Sequence, residues 1–319
     1  MSAGSVYVAL QQFCEFDDRP RQLLHKAGFD VRQNELGRRL RKEDLLRGLK
    51  DVDAVIAGVE PYDAELLAVL PRLKCISRCG VGTDAIDLEA AQRQGIIVCT
   101  TADDSIEPVA QLTLAMILAL ARNMPLHLAD GRAGAWHKRT GYLLSEWTIG
   151  LVGCGRIGTR VAEYLRVFQP RRICVADPDR GARDLPCGTE QCALSSLLAD
   201  SDVVSIHAGR PREEGPLIGR TELARMKRGS FLVNTARGFL VDEAALYDAL
   251  VSGHVAGAAL DVFQEEPYRG PLTTLPQVLC TPHIATLTRG SRAAMELQCA
   301  QHVVECVANL PAGHHGSAR

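Results

Sequence analysis

The stretch T-I-G-L-V-G-C-G-R-I-G-T-R-V-A-E-Y-L, residues 148–165, contains a G-x-G-x-x-G turn between two segments of different periodicity. The apolar residues before the turn predict a buried strand, Thr148–Val152, and the spaced apolar residues after it predict a helix, Arg156–Phe168. In this order, backbone N–H groups and the helix N-terminus can face a pyrophosphate. A tight turn without a ligand is the alternative, because the pattern alone is a weak signal in a chain with 28 glycines.

The three glycines of this turn have separate expected roles. Gly153 would make the tight turn, Gly155 would let the backbone approach a phosphate, and Gly158 would allow the helix to pack closely on the strand. The predicted cofactor site also includes the neighbouring Arg156 and Ile157. The context of the turn therefore favours a dinucleotide site.

The next predicted strand, Arg172–Ala176, is followed by Asp177, about twenty residues beyond the glycine turn. An acidic side chain at this place accepts hydrogen bonds from the ribose hydroxyls of NAD and repels the 2′-phosphate of NADP. The alternative is a simple turn that Asp177 forms with Pro178, and the nearby Arg180 keeps NADP as the less favoured cofactor. We therefore expect NAD.

Composition limits the kinds of partner. The 319 residues include 36 basic and 38 acidic side chains, a formal net charge of −2, and these charges are dispersed along the chain. We expect no nucleic-acid partner and no polybasic membrane anchor. The N-terminus lacks a basic region followed by a long apolar core, and the longest apolar stretch, Leu112–Ala121, is too short to cross a bilayer. The sequence predicts a cytoplasmic protein with a small-molecule partner.

Eleven cysteines are many for such a chain, but several lie inside apolar runs, such as Cys99, Cys154, Cys174 and Cys280. Small buried side chains explain them better than disulfides or metal ligands do. The closely spaced pairs also lack the nearby histidines of a zinc site. We predict no metal.

Strand-like and helix-like segments alternate through most of the chain, which is typical of α/β proteins with parallel sheets covered by helices. The first series has predicted strands Val6–Leu10, Ala54–Ala57, Leu73–Ser77 and Ile96–Cys99, and helices Asp63–Leu70 and Leu88–Gln94. A long helix, Ile106–Asn123, follows. The second series has six predicted strands, which suit a doubly wound nucleotide domain: Thr148–Val152, Arg172–Ala176, Val203–Ile206, Ser230–Asn234, Gly257–Leu260 and Val278–Cys280. A last helix, Ser291–Ala308, would return to the first domain.

Three polar residues stand at the ends of three successive strands in the second series: Arg237, Glu266 and His283. Carboxyl ends of parallel strands converge on the ligand crevice, so these side chains can meet although they are distant in sequence. A histidine can exchange a proton near neutral pH, a glutamate beside it can hold the ring, and an arginine can clamp a carboxylate. The alternatives are that Arg237 lies in a surface turn, that Glu266 is part of a solvated acidic pair, and that His283 is a core histidine.

Several motifs resemble those of the D-isomer-specific 2-hydroxyacid dehydrogenases. R-C-G-V-G-T-D-A-I-D-L (78–88) is similar to the family's substrate loop, and the glycine turn to its cofactor turn. N-T-A-R-G (234–238), A-L-D-V-F-Q-E-E-P (259–267) and T-P-H-I-A (281–285) resemble its catalytic motifs, in the family's order and spacing.

This resemblance implies roles for individual residues. Arg237, Glu266 and His283 would be catalytic, with Arg237 and His283 also contacting the substrate. The backbone N–H groups of Val81 and Gly82 would hold the substrate carboxylate. The remaining implied cofactor residues are Asp261, as the ligand of the nicotinamide carboxamide, and His207, Thr235 and Ala236, which would line the cofactor cleft.

The resemblance also implies an architecture and a reaction. A Rossmann nucleotide domain, 100–287, would be inserted into a flavodoxin-like substrate domain, 1–99 plus 288–319, and an arm at about 123–147 would form a homodimer. In related enzymes an aromatic residue in this arm reaches the partner, as Trp136 would here, although local packing of Trp136 is the alternative. The implied reaction is hydride transfer between NAD(H) and C2 of a small D-2-hydroxy or 2-oxo acid.

The identity of the acid is left open, because residues 99–111 lack the family's common T-P-G-x-N-S pattern. A member of a different functional class, an NAD(H)-binding scaffold resembling the corepressors with this fold, is the alternative to an enzyme. We also expect no appended regulatory domain.

Overall fold

The computed structural model describes residues 4–209 and 214–308, and the chain divides into two compact units, with breaks after Ser105 and after Ala285. The first unit combines the N-terminal part of the chain with the C-terminal helix, and the second is the segment between the breaks. Each unit contains its own parallel sheet.

The sheet of the first unit has five parallel strands in the order β2-β1-β3-β4-β5. They are β1 (Gly4–Val8), β2 (Phe29–Gln33), β3 (Ala54–Ala57), β4 (Cys75–Arg78) and β5 (Ile97–Thr100). The helices between them are α1 (Arg19–Lys26), α2 (Lys42–Leu49), α3 (Ala64–Ala68) and α4 (Leu88–Arg93). This strand order is that of flavodoxin-like doubly wound sheets.

The second unit has a seven-stranded parallel sheet in the order β12-β11-β10-β9-β6-β7-β8. The strands are β6 (Thr148–Val152), β7 (Arg172–Ala176), β8 (Glu190–Gln191), β9 (Val203–Ile206), β10 (Ser230–Asn234), β11 (Val255–Leu260) and β12 (Val278–Cys280). The helices are α5 (Ile106–Ala121), α6 (Met124–Arg132), α7 (Arg156–Arg166), α8 (Leu194–Asp200), α9 (Arg220–Arg225) and α10 (Glu243–Val251). The first six strands follow the Rossmann order, so the predicted fold class is confirmed.

Helix α5 is a core helix of the second unit. Met116, Ile117 and Leu120 are buried in the same cluster as Ile149 and Leu151 of strand β6. Together with the short turn before it, the helix spans Asp103–Ala121, which is longer than the apolar stretch noted in the sequence. By length and apolarity alone this segment can cross a membrane, but half of it is buried, as in the core helices of globular domains.

The C-terminal helix α11 (Arg289–Ala308) packs on the sheet of the first unit. Its residues Met295, Cys299 and Val303 share a buried cluster with Val6 and Val8 of strand β1. Both ends of the described chain therefore contribute to one core.

The structure corrects several predicted elements. The helix predicted at Ile106–Asn123 ends at Ala121, because Asn123 adopts a left-handed conformation (φ 51°) and a second helix, α6, begins at Met124. The sheet of the second unit has a seventh strand, β8, which the sequence analysis missed together with β2, α1, α2, α8, α9 and α10.

Candidate active site

The glycine turn after β6 shows why each glycine is needed. A Cβ on Gly153, whose φ is +89°, would lie 2.7 Å from the backbone nitrogen of Ala208, and one on Gly158 would lie 2.5 Å from the carbonyl oxygen of Gly153. A Cβ on Gly155 would meet nothing within 4 Å. Packing of the protein itself therefore requires two of the glycines, and the third faces open space at the start of α7. That open space fits a cradle for a phosphate.

Asp177 connects the end of β7 to the glycine turn. Its Oδ2 accepts a hydrogen bond from the backbone N–H of Cys154 at 2.7 Å, and its Oδ1 accepts one from Asp179 at 2.9 Å. A carboxylate offers about four acceptor positions, so these bonds leave capacity for ribose hydroxyls. The Arg180 guanidinium, which the sequence analysis had considered for NADP, donates to the backbone carbonyl of Asp184 at 3.1 Å.

His207 follows β9 and lies against the glycine turn. The carbonyl carbon of His207 is 2.7 Å from where a Cβ of Gly153 would stand, and the Nε2 of the ring is 2.9 Å from the Ser205 hydroxyl. Burial lowers the pKa of His207 to about 4, so the ring is neutral at pH 7. The turn therefore has an uncharged neighbour on this side.

The end of β10 is held by side chains that the sequence analysis did not select. The buried Asn234 amide donates to the carbonyl of Arg237 at 2.8 Å and accepts from the N–H of Ala236 at 3.0 Å. The Thr113 hydroxyl of α5 donates to a carbonyl of its own helix and lies 2.8 Å from the Thr235 hydroxyl, which therefore donates to it. These bonds fix Thr235, Ala236 and Arg237 at the end of the strand.

The ends of β10 and β11 approach each other closely. A Cβ on Gly238 would lie 1.9 Å from the carbonyl carbon of Phe263, so only glycine permits this contact. The Glu266 carboxylate accepts a hydrogen bond from the N–H of Phe263 at 3.2 Å. The Arg237 guanidinium donates to the carbonyl of Ala236 at 2.7 Å.

Glu266 and His283 form a hydrogen-bonded pair. The Oε2 of Glu266 is 2.8 Å from the Nδ1 of His283, and both side chains are partly exposed. This contact orients the ring so that Nε2 is the nitrogen directed away from the glutamate. His283 also has a left-handed backbone (φ 53°), which is uncommon for a residue other than glycine and is often found at functional sites.

Asp261, fully buried at the end of β11, organises the loop that carries His283. Its carboxylate accepts from the Thr281 hydroxyl at 2.6 Å and from the N–H groups of Ile284 and Ala285 at 2.8 and 2.9 Å. Its carbonyl accepts from the N–H of His283 at 2.9 Å. These three carboxylate bonds fill most of the acceptor positions. The role of Asp261 as a carboxamide ligand stays a prediction.

The predicted substrate loop lies in the first unit, at the carboxyl end of β4. The Arg78 guanidinium donates to the carbonyl of Gly82 at 3.1 Å, and the N–H of Gly80 donates to the Thr101 hydroxyl at 2.8 Å. Gly80 has a positive φ of 141°, and the side chain of Val81 is exposed. The loop is thus held through its carbonyl groups and through Gly80.

No group of three or more histidine, cysteine, aspartate or glutamate side chains suitable for a metal ion occurs within residues 4–209 and 214–308.

Residues 114–285 match the model of the family described as D-isomer specific 2-hydroxyacid dehydrogenase, NAD binding domain. The chain belongs to the D-isomer specific 2-hydroxyacid dehydrogenase family. The matched segment includes the glycine turn, Asp177, Arg237, Glu266 and His283. The second unit therefore corresponds to the family's NAD-binding domain.

Relatives in this family cover most of the chain. It is 39% identical to a glyoxylate reductase of Aeropyrum pernix over 274 residues, which are 82% of each chain. It is also 34% identical to a D-3-phosphoglycerate dehydrogenase of Archaeoglobus fulgidus over 90% of the present chain and 55% of that relative. The chain spans about half the length of the phosphoglycerate dehydrogenases it matches. A solved D-lactate dehydrogenase of Aquifex aeolicus, complexed with NAD and lactic acid, superposes with a TM-score of 0.82 at 28% identity and covers 94% of each chain.

Proposed function

We propose that the protein is an NAD-dependent D-2-hydroxyacid dehydrogenase, which transfers a hydride between NAD(H) and C2 of a small 2-oxo or 2-hydroxy acid. The observation that carries this proposal is the 2.8 Å contact between Glu266 and His283 in the same unit as the glycine turn. NAD(H), when bound, supplies or accepts the hydride. The residues proposed to hold it are Gly153, Gly155, Arg156, Ile157, Gly158, Asp177, His207, Thr235, Ala236 and Asp261.

The proposed catalytic roles follow from the chemistry of three side chains. Arg237 clamps the carboxylate of the acid and polarises its carbonyl, because a guanidinium offers a planar fork of donors. The Nε2 of His283 gives a proton to the oxygen at C2 during reduction and takes it back during oxidation. Glu266 holds the Nδ1 of the ring and so fixes its orientation.

The first experiment is a reduction assay that follows NADH absorbance. Purified protein is tested with glyoxylate, hydroxypyruvate, pyruvate, branched and aromatic 2-oxo acids and phosphorylated analogues, with NADPH in parallel. We expect turnover with one class of acid and a preference for NADH. No turnover on any acid, with NADH binding retained, would favour the NAD(H)-binding scaffold instead.

The matched variants are His283→Ala and His25→Ala, because His25 is an exposed histidine of α1. Loss of the proton donor should lower kcat by about 10²- to 10⁴-fold in His283→Ala and leave NADH binding intact. His25→Ala should behave as the unchanged protein. Normal turnover by His283→Ala would refute the assigned role.

We further propose a cytoplasmic homodimer formed by the arm at about 123–147, with the first unit as the substrate domain and the N–H groups of Val81 and Gly82 as its carboxylate ligands. The support for the arm is its exposed apolar surface, since the side chains of Leu128, Trp136 and Leu143 are 48%, 90% and 64% exposed. An interaction surface needs exposed apolar side chains, and these three residues provide them along one segment of the chain.

A further inference from the structure

Six of the eleven cysteines gather in one core layer of the first unit, between its sheet and helix α11: Cys14, Cys75, Cys79, Cys99, Cys299 and Cys306. The two in α11, Cys299 and Cys306, are seven residues apart, so they lie two turns apart on the same face of the helix. Packing of small apolar side chains does not by itself require contact between sulfur atoms, but two of these sulfur atoms are in contact.

One of these contacts joins α11 to the edge strand β5. The Sγ atoms of Cys99 and Cys306 are 3.8 Å apart, and Cys75 of the neighbouring strand β4 belongs to the same buried cluster. Cys99 is partly exposed and Cys306 is 9% exposed, whereas Cys75 is fully buried. A small oxidant can therefore reach the outer two sulfur atoms more easily than the third.

We propose that Cys99 and Cys306 are an oxidation site, at which a hydroperoxide converts the two thiols into a disulfide. The Cys306 thiolate attacks one peroxide oxygen and breaks the O–O bond, which gives a sulfenic acid and hydroxide. The Cys99 thiol then attacks the Cys306 sulfur, the S–S bond forms, and the sulfenic hydroxyl leaves, taking up a proton as water. With hydrogen peroxide, two thiols lose two electrons and two protons, and the peroxide becomes two molecules of water.

The surroundings suit the first step. The neighbouring thiols, Cys75 first and then Cys99, lower the pKa of Cys306, which favours its thiolate, the nucleophilic form. Burial raises the pKa of Cys99 to about 11, so Cys99 stays protonated while Cys306 reacts with the peroxide. Cys99 gives its proton to the leaving hydroxyl as it attacks the Cys306 sulfur.

The geometry suits the second step. An S–S bond measures about 2.0 Å, so the two sulfur atoms must approach by about 1.8 Å. Cys99 lies on β5, an edge strand with a neighbouring strand on one side only, and Cys306 lies in the last turn of the described helix. Both positions can therefore shift more easily than a residue in a central strand.

The test uses the fully reduced protein, treated with hydrogen peroxide, blocked with an alkylating reagent and mapped by mass spectrometry without reduction. We expect one linked peptide that joins Cys99 to Cys306, two hydrogens lighter than the reduced pair and released by dithiothreitol. Absence of this link, with oxidation confined to the exposed Cys187, would overturn the proposal, and so would a link from Cys306 to Cys75.

Variants separate the roles of the three thiols. Cys99→Ser should stop the reaction at a Cys306 sulfenic acid, which dimedone traps. Cys75→Ala, which removes the neighbouring thiol, should slow formation of the link by about tenfold because fewer Cys306 thiols are ionised. Cys187→Ser, the matched control, should form the link at the normal rate. An unchanged rate in Cys75→Ala would remove that thiol from the mechanism. None of these readouts depends on dehydrogenase activity.

Discussion

At the scale of single residues, His207 gives the clearest pH dependence. Its pKa is lowered to about 4 in the folded protein, whereas an unfolded histidine titrates near 6.5. The unfolded state therefore binds a proton first, and the contribution of this residue is complete above pH 6.5 and lost as the pH falls towards 4. The full loss, reached below pH 4, amounts to about 3 kcal/mol. The free energy of unfolding, measured with urea at pH 7 and at pH 4.5, should decrease less between these pH values in His207→Gln than in the unchanged protein.

The matched control is His25→Gln, which replaces an exposed histidine of α1. This variant should leave the difference in the free energy of unfolding between the two pH values unchanged. Equal decreases in the unchanged protein and in His207→Gln would contradict a lowered pKa of His207.

The sequence identified candidate site residues that stand at strand ends, but not the side chains that hold them. Arg237, Glu266 and His283 could be selected because a parallel sheet directs the carboxyl ends of its strands to one edge. Asn234 and Thr113 could not, and neither could the structural role of Asp261. Their hydrogen bonds go to loop backbone or to a helix distant in sequence, so they depend on loop conformations that no periodicity specifies.

At the scale of elements, the strand–turn–helix unit of β6 and α7 predicts opposite effects for two of its glycines. Gly155→Ala adds a methyl group to open space, so it should change the free energy of unfolding by less than about 1 kcal/mol. If the phosphate approaches here, NADH should bind at least about tenfold more weakly, which corresponds to about 1.4 kcal/mol. Gly158→Ala forces a methyl group against a backbone carbonyl and should destabilise the fold by about 1–3 kcal/mol.

Urea unfolding and titration of NADH fluorescence measure the two effects, and each variant serves as the control for the other. Unchanged NADH affinity in a stable Gly155→Ala protein would show that the phosphate does not approach this glycine.

Three of the elements that the sequence did not predict have weak patterns of apolar residues. Strand β2, F-D-V-R-Q, lies at a sheet edge and buries only Phe29 completely, so it lacks the apolar run of a central strand. Helix α1, R-P-R-Q-L-L-H-K, has few apolar residues, and α6 buries only Pro125 in this chain. These three elements are largely exposed, so burial imposes no clear apolar pattern on them.

At the scale of the whole molecule, the two tryptophans can report on the proposed dimer. Trp136 in the arm is 90% exposed in the single chain, whereas Trp147 is 3% exposed and stacks on Phe231 at 5.3 Å between ring centroids. If the arm binds a second copy, Trp136 should be shielded from acrylamide at micromolar protein and become accessible on dilution. The comparison of the unchanged protein with Trp136→Phe isolates this signal, because Trp147 is buried in both. If sedimentation shows a dimer but acrylamide quenches Trp136 as readily as free indole, the interface lies elsewhere. If the protein is a monomer at every concentration, the dimer itself is refuted.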